Sequence, residues 1–437
     1  MNALKSIVSR RTEFGLLVAA TVIIAIALIT LNLAQGSSIG SEVAWVIGGF
    51  IGVFTIAHLA LCILAPNADQ IMLPVAALLN GLGLVMIYRL DLALDKQLAS
   101  RQVMWTLISV ALMIGLLVLL KDHRRMSRYS YVLGLAGIVL LALPMVWPIK
   151  INADANIWIS IGPLSIQPGE FSKILLLLFF AQLLVNKRAL FNVAGYRVLG
   201  MELPRLRDLG PILGVWGAAI LIMAGENDFG PALLLFSTVL GMIYIATNRV
   251  SWLFIGALLV AIGGTAVYQV SSKIQARFNN FLDPLAHYDT TGYQLSQGLF
   301  GMSSGGVSGT GLGQGHPELV PVAESDFILA AIGEELGLVG LAAVLILFAI
   351  FVARGFRTAL MTKDSYGKLV AAGLSLTLAI QVFVVTGGIT ALLPMTGLTT
   401  PFMSQGGSSL MANYILLGII LRISNSARST AGTEAQR

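Results

Sequence analysis

Three carboxylates stand at the border between the longest polar segment of the chain and an apolar stretch. Asp326 directly precedes the run Phe-Ile-Leu-Ala-Ala-Ile, and Glu334 and Glu335 follow it. A carboxylate beside apolar walls has a raised pKa and can act as a general base. The structural alternative is that Ser325 or Asp326 caps the helix that begins here. Glu334 and Glu335 lie about 12 Å further along at 1.5 Å per residue, so at least one of them must bind a cation or hydrogen-bond donors.

Another carboxylate lies at helical spacing from a lysine. Pro168 suits the first turn of a helix, where the helix dipole would stabilise Glu170. Glu170 and Lys173 are three residues apart, so they share a helix face and can pair. Contact with a substrate and a role limited to capping and pairing both remain open.

Two further polar groups border apolar spans. Arg89 ends the third span, where it is either a functional cation or, with Tyr88, an interfacial anchor. Asp228 lies in the turn Glu226-Asn-Asp-Phe-Gly, for which ordinary turn chemistry is the simpler interpretation.

Metal, nucleotide and disulfide chemistry find little support in the residue pattern. His287 and His316 have no second His or Cys at ligand spacing, so no zinc site is predicted. The run from Gly305 to Gly313 lacks the Lys-Ser/Thr ending and the strand-to-helix context of a phosphate-binding loop. It is more typical of a flexible or re-entrant loop. Cys62 is the one cysteine and can form no internal disulfide.

The elements that must position these residues are membrane helices. The chain has 437 residues, of which 57% are hydrophobic and 11% charged, and its mean hydropathy is +0.86. This composition excludes a water-soluble globular protein. Spans of about the length needed to cross a bilayer fall near 14–35, 43–65, 71–88, 102–120, 130–148, 171–186, 210–224, 231–247, 251–270, 326–353, 369–392 and 402–421. We therefore predict an all-α polytopic integral membrane protein with about 12 transmembrane helices and one large polar loop, residues 271–325.

The basic residues predict the orientation of these helices. With the N-terminus in the cytoplasm, 20 of the 27 Lys and Arg residues fall on the cytoplasmic side. This imbalance fits the positive-inside rule. Both termini are then cytoplasmic, the 271–325 loop is extracytoplasmic, and the basic pI reflects membrane orientation instead of binding to nucleic acid.

Many short motifs, in order, resemble those of the SEDS family, to which the RodA and FtsW proteins belong. The motifs are Trp158-Ile-x-x-Gly162, Gln167-Pro-x-Glu170-Phe-x-Lys173, Asp228-x-Gly230, Arg277 with Asp283-Pro284, Gly292-Tyr-Gln294-x-x-Gln297, Gly305-Gly-x-x-Gly-x-Gly-Leu-Gly313, Ser325-Asp-Phe-Ile328, Gly333-Glu-Glu-Leu-Gly337, and Leu393-Pro394-x-x-Gly397-x-x-x-Pro401-x-x-Ser404-x-Gly-Gly-Ser-Ser409. The resemblance covers roughly residues 70 to 424.

The resemblance implies a peptidoglycan glycosyltransferase that polymerises lipid II into glycan strands in the bacterial cell membrane. It fits the RodA branch, which serves cell elongation, better than the division-specific FtsW branch. Asp326 is then the expected catalytic residue. The expected substrate-binding residues are Arg89, Trp158, Glu170, Lys173, Asp228, Arg277, Gln294, Glu335, Ser404 and Ser408. The implied partners are lipid II, the nascent glycan strand, a class B penicillin-binding protein and the elongation or division machinery, with or without a divalent cation (Mg²⁺ or Mn²⁺).

The family core has about ten helices, so the resemblance divides the chain into three parts. Residues 1–67 form a cytoplasmic tail and two additional helices, 68–424 the glycosyltransferase core, and 425–437 a cytoplasmic tail. One departure concerns the Arg that commonly precedes the Trp-Ile motif, because Asn156 occupies that place here. Arg89, Lys173 or Arg277 would then have to bind the diphosphate.

Two other functions remain open on the sequence alone. A lipid II flippase would use buried carboxylates to bind protons or headgroups without making a bond. A non-catalytic scaffold for a transpeptidase would leave Asp326 as a helix cap.

Overall fold

The chain folds almost entirely into helices of membrane-spanning length. The computed structural model describes residues 10–36, 40–147, 157–161, 164–192, 196–198, 201–203 and 206–435. Within these ranges ten helices are long and apolar enough to cross a membrane, and the segments Ser130–Val146 and Leu213–Gly225 are shorter apolar helices. Each predicted span overlaps at least one of these helices, so the predicted all-α polytopic membrane fold is confirmed.

The elements follow one another in this order: α1 Arg11–Ala34, α2 Ser41–Leu64, α3 Met72–Leu94, α4 Leu98–Leu119, α5 Arg124–Arg128, α6 Ser130–Val146, β1 Ile159–Ile161, β2 Leu164–Ile166, α7 Pro168–Asn192, β3 Tyr196–Val198, β4 Met201–Leu203, α8 Leu206–Gly225, α9 Phe229–Thr247, α10 Ser251–Val270, α11 Ser272–Leu282, α12 Tyr293–Gly305, α13 Ile328–Glu335, α14 Gly337–Met361, α15 Ser365–Ile389 and α16 Gly407–Ala435. Two short 3-10 helices, Leu285–His287 and Pro317–Leu319, lie in the polar segment. The two strand pairs are antiparallel hairpins of three residues per strand.

One compact unit contains the described residues of 1–121, 273–354 and 381–437. In this unit α1 packs along α3, and α4 packs along both α2 and α16. Small residues permit the close approach: a side chain at Gly81 would meet Ile24 and Phe50, and one at Gly407 would meet Trp105. Among the helices of membrane-spanning length in this unit, α3 and α16 are the most enclosed, with 89% of their most apolar stretch buried. The unit therefore has a protein-lined interior in which polar residues of α3 can meet those of the polar segment.

The other compact unit contains the described residues of 122–272 together with 355–380. Helices α6 and α7 pack along each other, and Ser172 of α7 donates a hydrogen bond to the Gly137 carbonyl of α6 (2.7 Å). Helix α7 also contacts α9. Gly137 places the two backbones close together, because a side chain there would touch Leu176.

The predicted span 326–353 is not one helix. Helix α13 ends at Glu335, and α14 begins at Gly337, whose φ is +66°. A side chain at Gly337 would also collide with the backbone at Gly309. The break therefore depends on a left-handed backbone conformation and on a contact with a distant segment, neither of which hydropathy reports.

The polar segment 271–325 is also more structured than its composition predicted. It contains α11, α12 and both 3-10 helices. Its glycine-rich segment, residues 305–315, was predicted to be a flexible or re-entrant loop. In the structure this segment is hydrogen-bonded to the end of α13: Thr310 donates to the Glu334 carbonyl (3.0 Å) and Gly311 to the Glu335 carbonyl (3.1 Å).

Candidate active site

Asp326 lies in a recess whose walls are apolar. The recess is small and opens to the surface. Its other lining residues come from the end of α15 and the irregular segment that follows: Val384, Val385, Gly388, Ile389, Met395, Thr396, Gly397 and Leu398. A carboxylate in such a place loses much of its hydration, which is the condition for a base that titrates near neutrality.

The carboxylate of Asp326 does not cap a helix. Helix α13 begins two residues later, at Ile328, and its N-cap residue Phe327 makes no side-chain cap hydrogen bond. The Asp326 carboxylate lies in the apolar recess. The capping alternative for Asp326 is therefore wrong, and another explanation is needed for a carboxylate in an apolar recess.

The backbone on the N-terminal side of Asp326 is held by the segment before α16. The Ser404 hydroxyl donates to the Ser325 carbonyl and accepts from the backbone N–H of Thr400 (2.8 Å). The backbone N–H of Gln405 donates to the Glu324 carbonyl (2.7 Å). Ser404, a predicted substrate-binding residue, thus fixes the position of the residue next to Asp326.

Arg277 is the cation associated with Asp326. It extends from α11 and donates a hydrogen bond to the Thr396 carbonyl (2.9 Å). Gly397 leaves room for the guanidinium, because a Cβ atom there would lie 2.9 Å from Nη2. Burial raises the pKa of Asp326 to about 6, against the opposing effects of its own backbone N–H and of Arg277, while Glu324 adds to the rise. Asp326 can therefore be ionised at neutral pH and still accept a proton readily.

Arg89 and Glu335 form a second polar group, at the opposite end of α13 from Asp326. Arg89 Nε donates to Glu335 Oε1 (2.8 Å), and its Nη2 donates to the Gly315 carbonyl (2.7 Å) and lies 3.2 Å from Glu318 Oε2. Arg89 is 3% exposed, so the interfacial-anchor interpretation is wrong. The expectation that Glu334 or Glu335 must find a partner is confirmed. Glu335 pairs with Arg89, and Glu334 accepts a hydrogen bond from the backbone N–H of His316 (2.5 Å).

The remaining predicted contacts in this unit are Gln294 and Ser408. Gln294 Nε2 donates to the Pro321 carbonyl (2.8 Å), within the turns that lead to Asp326. Ser408 is buried at the start of α16. Gln294, Ser404 and Arg277 thus lie around the segment that carries Asp326. Contact between any of these residues and a substrate remains a prediction.

The other compact unit contains Glu170, Lys173, Asp228 and Trp158. Helix α7 begins at Pro168, as predicted, and Lys173 Nζ lies 2.6 Å from Glu170 Oε2, so the two residues do pair. Trp158 is half-buried beside strand β1. Asp228 precedes α9, which has no side-chain cap hydrogen bond. Asn156 and Gly162, named above with the family motifs, lie outside the described residues.

Glu226 is a candidate that the sequence did not single out from its turn. It is 3% exposed, and burial together with the nearby Asp228 raises its pKa to about 8. The acidic pair in the turn was visible in the sequence, but the burial that makes Glu226 unusual was not. Thr396 and Gly397, which hold Arg277, were visible only as part of a motif.

The described residues include no group of three or more His, Cys, Asp or Glu side chains placed to hold a metal ion. Among the charged groups, the guanidinium of Arg277 has the largest effect on the pKa of Asp326. A guanidinium does not bind cations.

The fold and site define a multi-pass membrane protein with a carboxylate in an apolar recess. The chain belongs to the FtsW/RodA/SpoVE family, described as cell cycle proteins, whose sequence model matches residues 69–429.

Several curated relatives of the chain are named as peptidoglycan glycosyltransferases. It is 50% identical over 428 residues to the peptidoglycan glycosyltransferase RodA of Mycobacterium tuberculosis, covering 96% of this chain and 91% of the relative. It is 51% identical over 395 residues to the RodA of Mycobacterium leprae, covering 88% and 84%. Among solved structures, a chain from a study of polymerization and crosslinking by a peptidoglycan synthase complex matches with a TM-score of 0.66 at 26% identity. That match covers 82% of this chain and 98% of the solved one.

Proposed function

We propose that this protein is a RodA-like peptidoglycan glycosyltransferase that polymerises lipid II into glycan strands during cell-wall elongation. The observation that carries the proposal is the placement of Asp326 in an apolar recess beside Arg277. The 50% identity to mycobacterial RodA over almost the whole chain supports the same activity.

In the proposed reaction Asp326 is the general base. The donor is a glycan chain on its polyprenyl diphosphate, and the acceptor is the sugar 4-hydroxyl of an incoming lipid II. The hydroxyl oxygen attacks the anomeric carbon with inversion, and its proton passes to the Asp326 carboxylate. The anomeric bond to the diphosphate oxygen breaks, and the electron pair leaves with the diphosphate. Asp326 must come within about 3 Å of the hydroxyl, directly or through one water.

Arg277 has the second role in this mechanism. Negative charge develops on the leaving diphosphate, so a fixed positive charge near the reacting atoms lowers the barrier. Arg277 is held by the Thr396 carbonyl and is close enough to Asp326 to affect its pKa. Lys173 is the alternative cation and is already paired with Glu170. Arg89 is enclosed by Glu335, Glu318 and Gly315, which favours a structural role for it.

The membrane placement follows from the distribution of basic residues. We place both termini in the cytoplasm and the polar segment 271–325, with Asp326, on the extracytoplasmic side. The donor and acceptor lipids would then lie with their headgroups at the level of the recess. The exposed apolar helix surfaces would bind their polyprenyl tails.

The proposed protein partner is a class B penicillin-binding protein that cross-links the new strands. A chain of a peptidoglycan synthase complex that coordinates polymerization and crosslinking has the same overall fold, which supports this partner. We further propose that a divalent cation, where one takes part, arrives with the substrate diphosphate. Mg²⁺ is commonly bound through one or two carboxylates together with substrate phosphates.

The experiment is polymerisation of purified lipid II by the purified protein, alone and with its transpeptidase, followed by gel separation of the glycan products. The same preparation is reconstituted into vesicles to measure movement of labelled lipid II across the bilayer. Glycan strands made by the wild-type protein support the polymerase. If lipid II crosses the bilayer and no polymer forms even with the transpeptidase present, the protein is a flippase and the proposal is wrong.

A further inference from the structure

Helix α1 makes specific contacts with the glycine-rich segment near the candidate site. Helix α1 precedes the residues matched by the family model. Its C-cap residue Gln35 donates a hydrogen bond from Nε2 to the Gly313 carbonyl (2.6 Å). Leu31 and Ala34 pack on the same glycine, since a Cβ atom there would lie 3.0 Å and 3.3 Å from them. The last turn of α1 therefore rests directly on the glycine-rich segment.

Gly313 connects this turn to the buried ion pair at the end of α13. Its φ is +81°, a left-handed conformation that favours glycine. Its backbone N–H donates to Glu335 Oε2 (3.0 Å), and Glu335 also accepts from Arg89. The carbonyl of Gly313 thus binds α1, and its N–H binds α13, the helix that begins two residues after Asp326.

A second contact ties the same turn of α1 to α3. Tyr88 of α3 donates from its hydroxyl to Asn32 Oδ1 (3.3 Å), and both side chains are buried. Tyr88 is the neighbour of Arg89, which holds the Gly315 carbonyl. The end of α1, the end of α3 and residues 313–315 therefore hold one another in place.

The other end of α1 is fixed as well. The buried guanidinium of Arg10 donates hydrogen bonds to the carbonyls of Ala65 (3.0 Å) and Ala68 (3.1 Å), and it pairs with Glu13. Helix α1 is 24 residues long, or about 36 Å at 1.5 Å per residue. A helix of this length that is anchored at its start and packed on α3 cannot move its last turn freely.

We propose that α1 positions the glycine-rich segment, and through it α13 and Asp326, for the polymerisation reaction, with Gln35 as a positioning residue. The proposal rests on the proposed glycosyltransferase function. It assigns the helix that lies outside the family match a part in the reaction. Gln35 acts through Gly313 and contacts no substrate. The glycine-rich segment is then an ordered segment held in one position, and not a flexible loop.

The test compares full-length variants by hydrogen exchange and by polymerisation kinetics. Gln35→Glu keeps the shape of the side chain and removes the donor, while Gln35→Lys restores a donor. Leu33→Ala is the control, because Leu33 lies on the same helix turn and points away, with 64% exposure. All three changes lie at exposed positions, so folding should be retained.

We expect amides in residues 305–315 of Gln35→Glu to exchange about three- to tenfold faster, as loss of one partly buried hydrogen bond allows. Turnover should fall by a similar factor, with KM for lipid II changed by less than about twofold, because alignment is lost and binding is not. Gln35→Lys and Leu33→Ala should resemble the wild-type protein in both measurements.

Two results would overturn the proposal: wild-type exchange of residues 305–315 in Gln35→Glu, or faster exchange with wild-type turnover. A wild-type protein that makes no polymer would refute the glycosyltransferase. The exchange comparison alone would then decide whether α1 holds the segment, and an unchanged rate in Gln35→Glu would reject it.

Discussion

Replacement of Arg277 by Gln should move the acidic limb of the pH-rate profile. Asp326 has a pKa of about 6, and the positive charge of Arg277 is one of the influences that hold it down. A neighbouring opposite charge shifts a carboxyl pKa by about 1 to 3 units. We take the lower end because Arg277 affects the pKa of Asp326 less than burial does. The pKa of Asp326 in Arg277→Gln should then rise by about one unit, equivalent to about 1.4 kcal/mol.

The magnitude follows from the ionised fraction of the base. At pH 6 about half of the wild-type Asp326 is ionised, whereas about a tenth would be ionised in Arg277→Gln, so this effect alone lowers the rate about fivefold. At pH 8 both proteins are almost fully ionised, and this part of the loss disappears. Any loss that remains at pH 8 measures the contribution of Arg277 to stabilising the diphosphate.

The assay is the initial rate of lipid II polymerisation between pH 5 and pH 9 at saturating substrate. Lys273→Gln is the matched control, because it removes the same charge one turn earlier on α11 and Lys273 is not among the groups that shift the pKa of Asp326. Its acidic limb should stay near pH 6. The reasoning is refuted if the wild-type profile has no limb near pH 6, or if Arg277→Gln lowers the rate equally at every pH.

Three further predictions concern the groups that hold the site and the helices in place. Gly397→Ala puts a side chain on a residue with φ of +73° and displaces the Arg277 guanidinium, so turnover should fall about three- to tenfold. Gly406→Ala meets no close contact and should be neutral, so equal rates for the two variants would contradict this prediction. Arg89→Gln leaves buried Glu335 without its cation and should lower the free energy of unfolding by about 3 kcal/mol, partly restored by adding Glu335→Gln; a thermal melt with no loss would refute it. Asp69→Asn removes the carboxylate that Arg354 and Arg428 share, and it should lower the free energy of unfolding by about 3 kcal/mol in the same melt. A change under about 0.5 kcal/mol would show that these ion pairs contribute little to stability.

The membrane spans were predictable because bilayer thickness sets the length of an apolar helix. Each predicted span contains a helix, and even Pro168 and the Glu170–Lys173 pair lie as local rules require. The exception is the break between α13 and α14. It depends on the positive φ of Gly337 and on contact with Gly309, which lies 28 residues earlier in the numbered chain.

The site was predictable in its residue types and less so in its pairings. Burying a charge is costly, so a partner for Glu334 or Glu335 could be predicted. Nothing in the sequence indicates that the partner of Glu335 is Arg89, 246 residues away. The capping interpretation of Asp326 failed because the helix begins at Ile328, and helix ends are poorly determined by local sequence. The contacts of α1 with Gly313 were equally invisible, since they join segments that pack together only in the folded chain.

The most direct test of the account is whether Asp326→Asn separates chemistry from binding. Asparagine has nearly the same shape and cannot accept the hydroxyl proton as a base. The measurement is lipid II binding and polymerisation by the same preparation, with Asp289→Asn, an exposed carboxylate of the same polar segment, as the control. The account predicts unchanged melting and lipid II affinity within about threefold, with polymerisation reduced at least about 100-fold in Asp326→Asn and unchanged in Asp289→Asn. Folded Asp326→Asn that polymerises lipid II at the wild-type rate would contradict a base at this position.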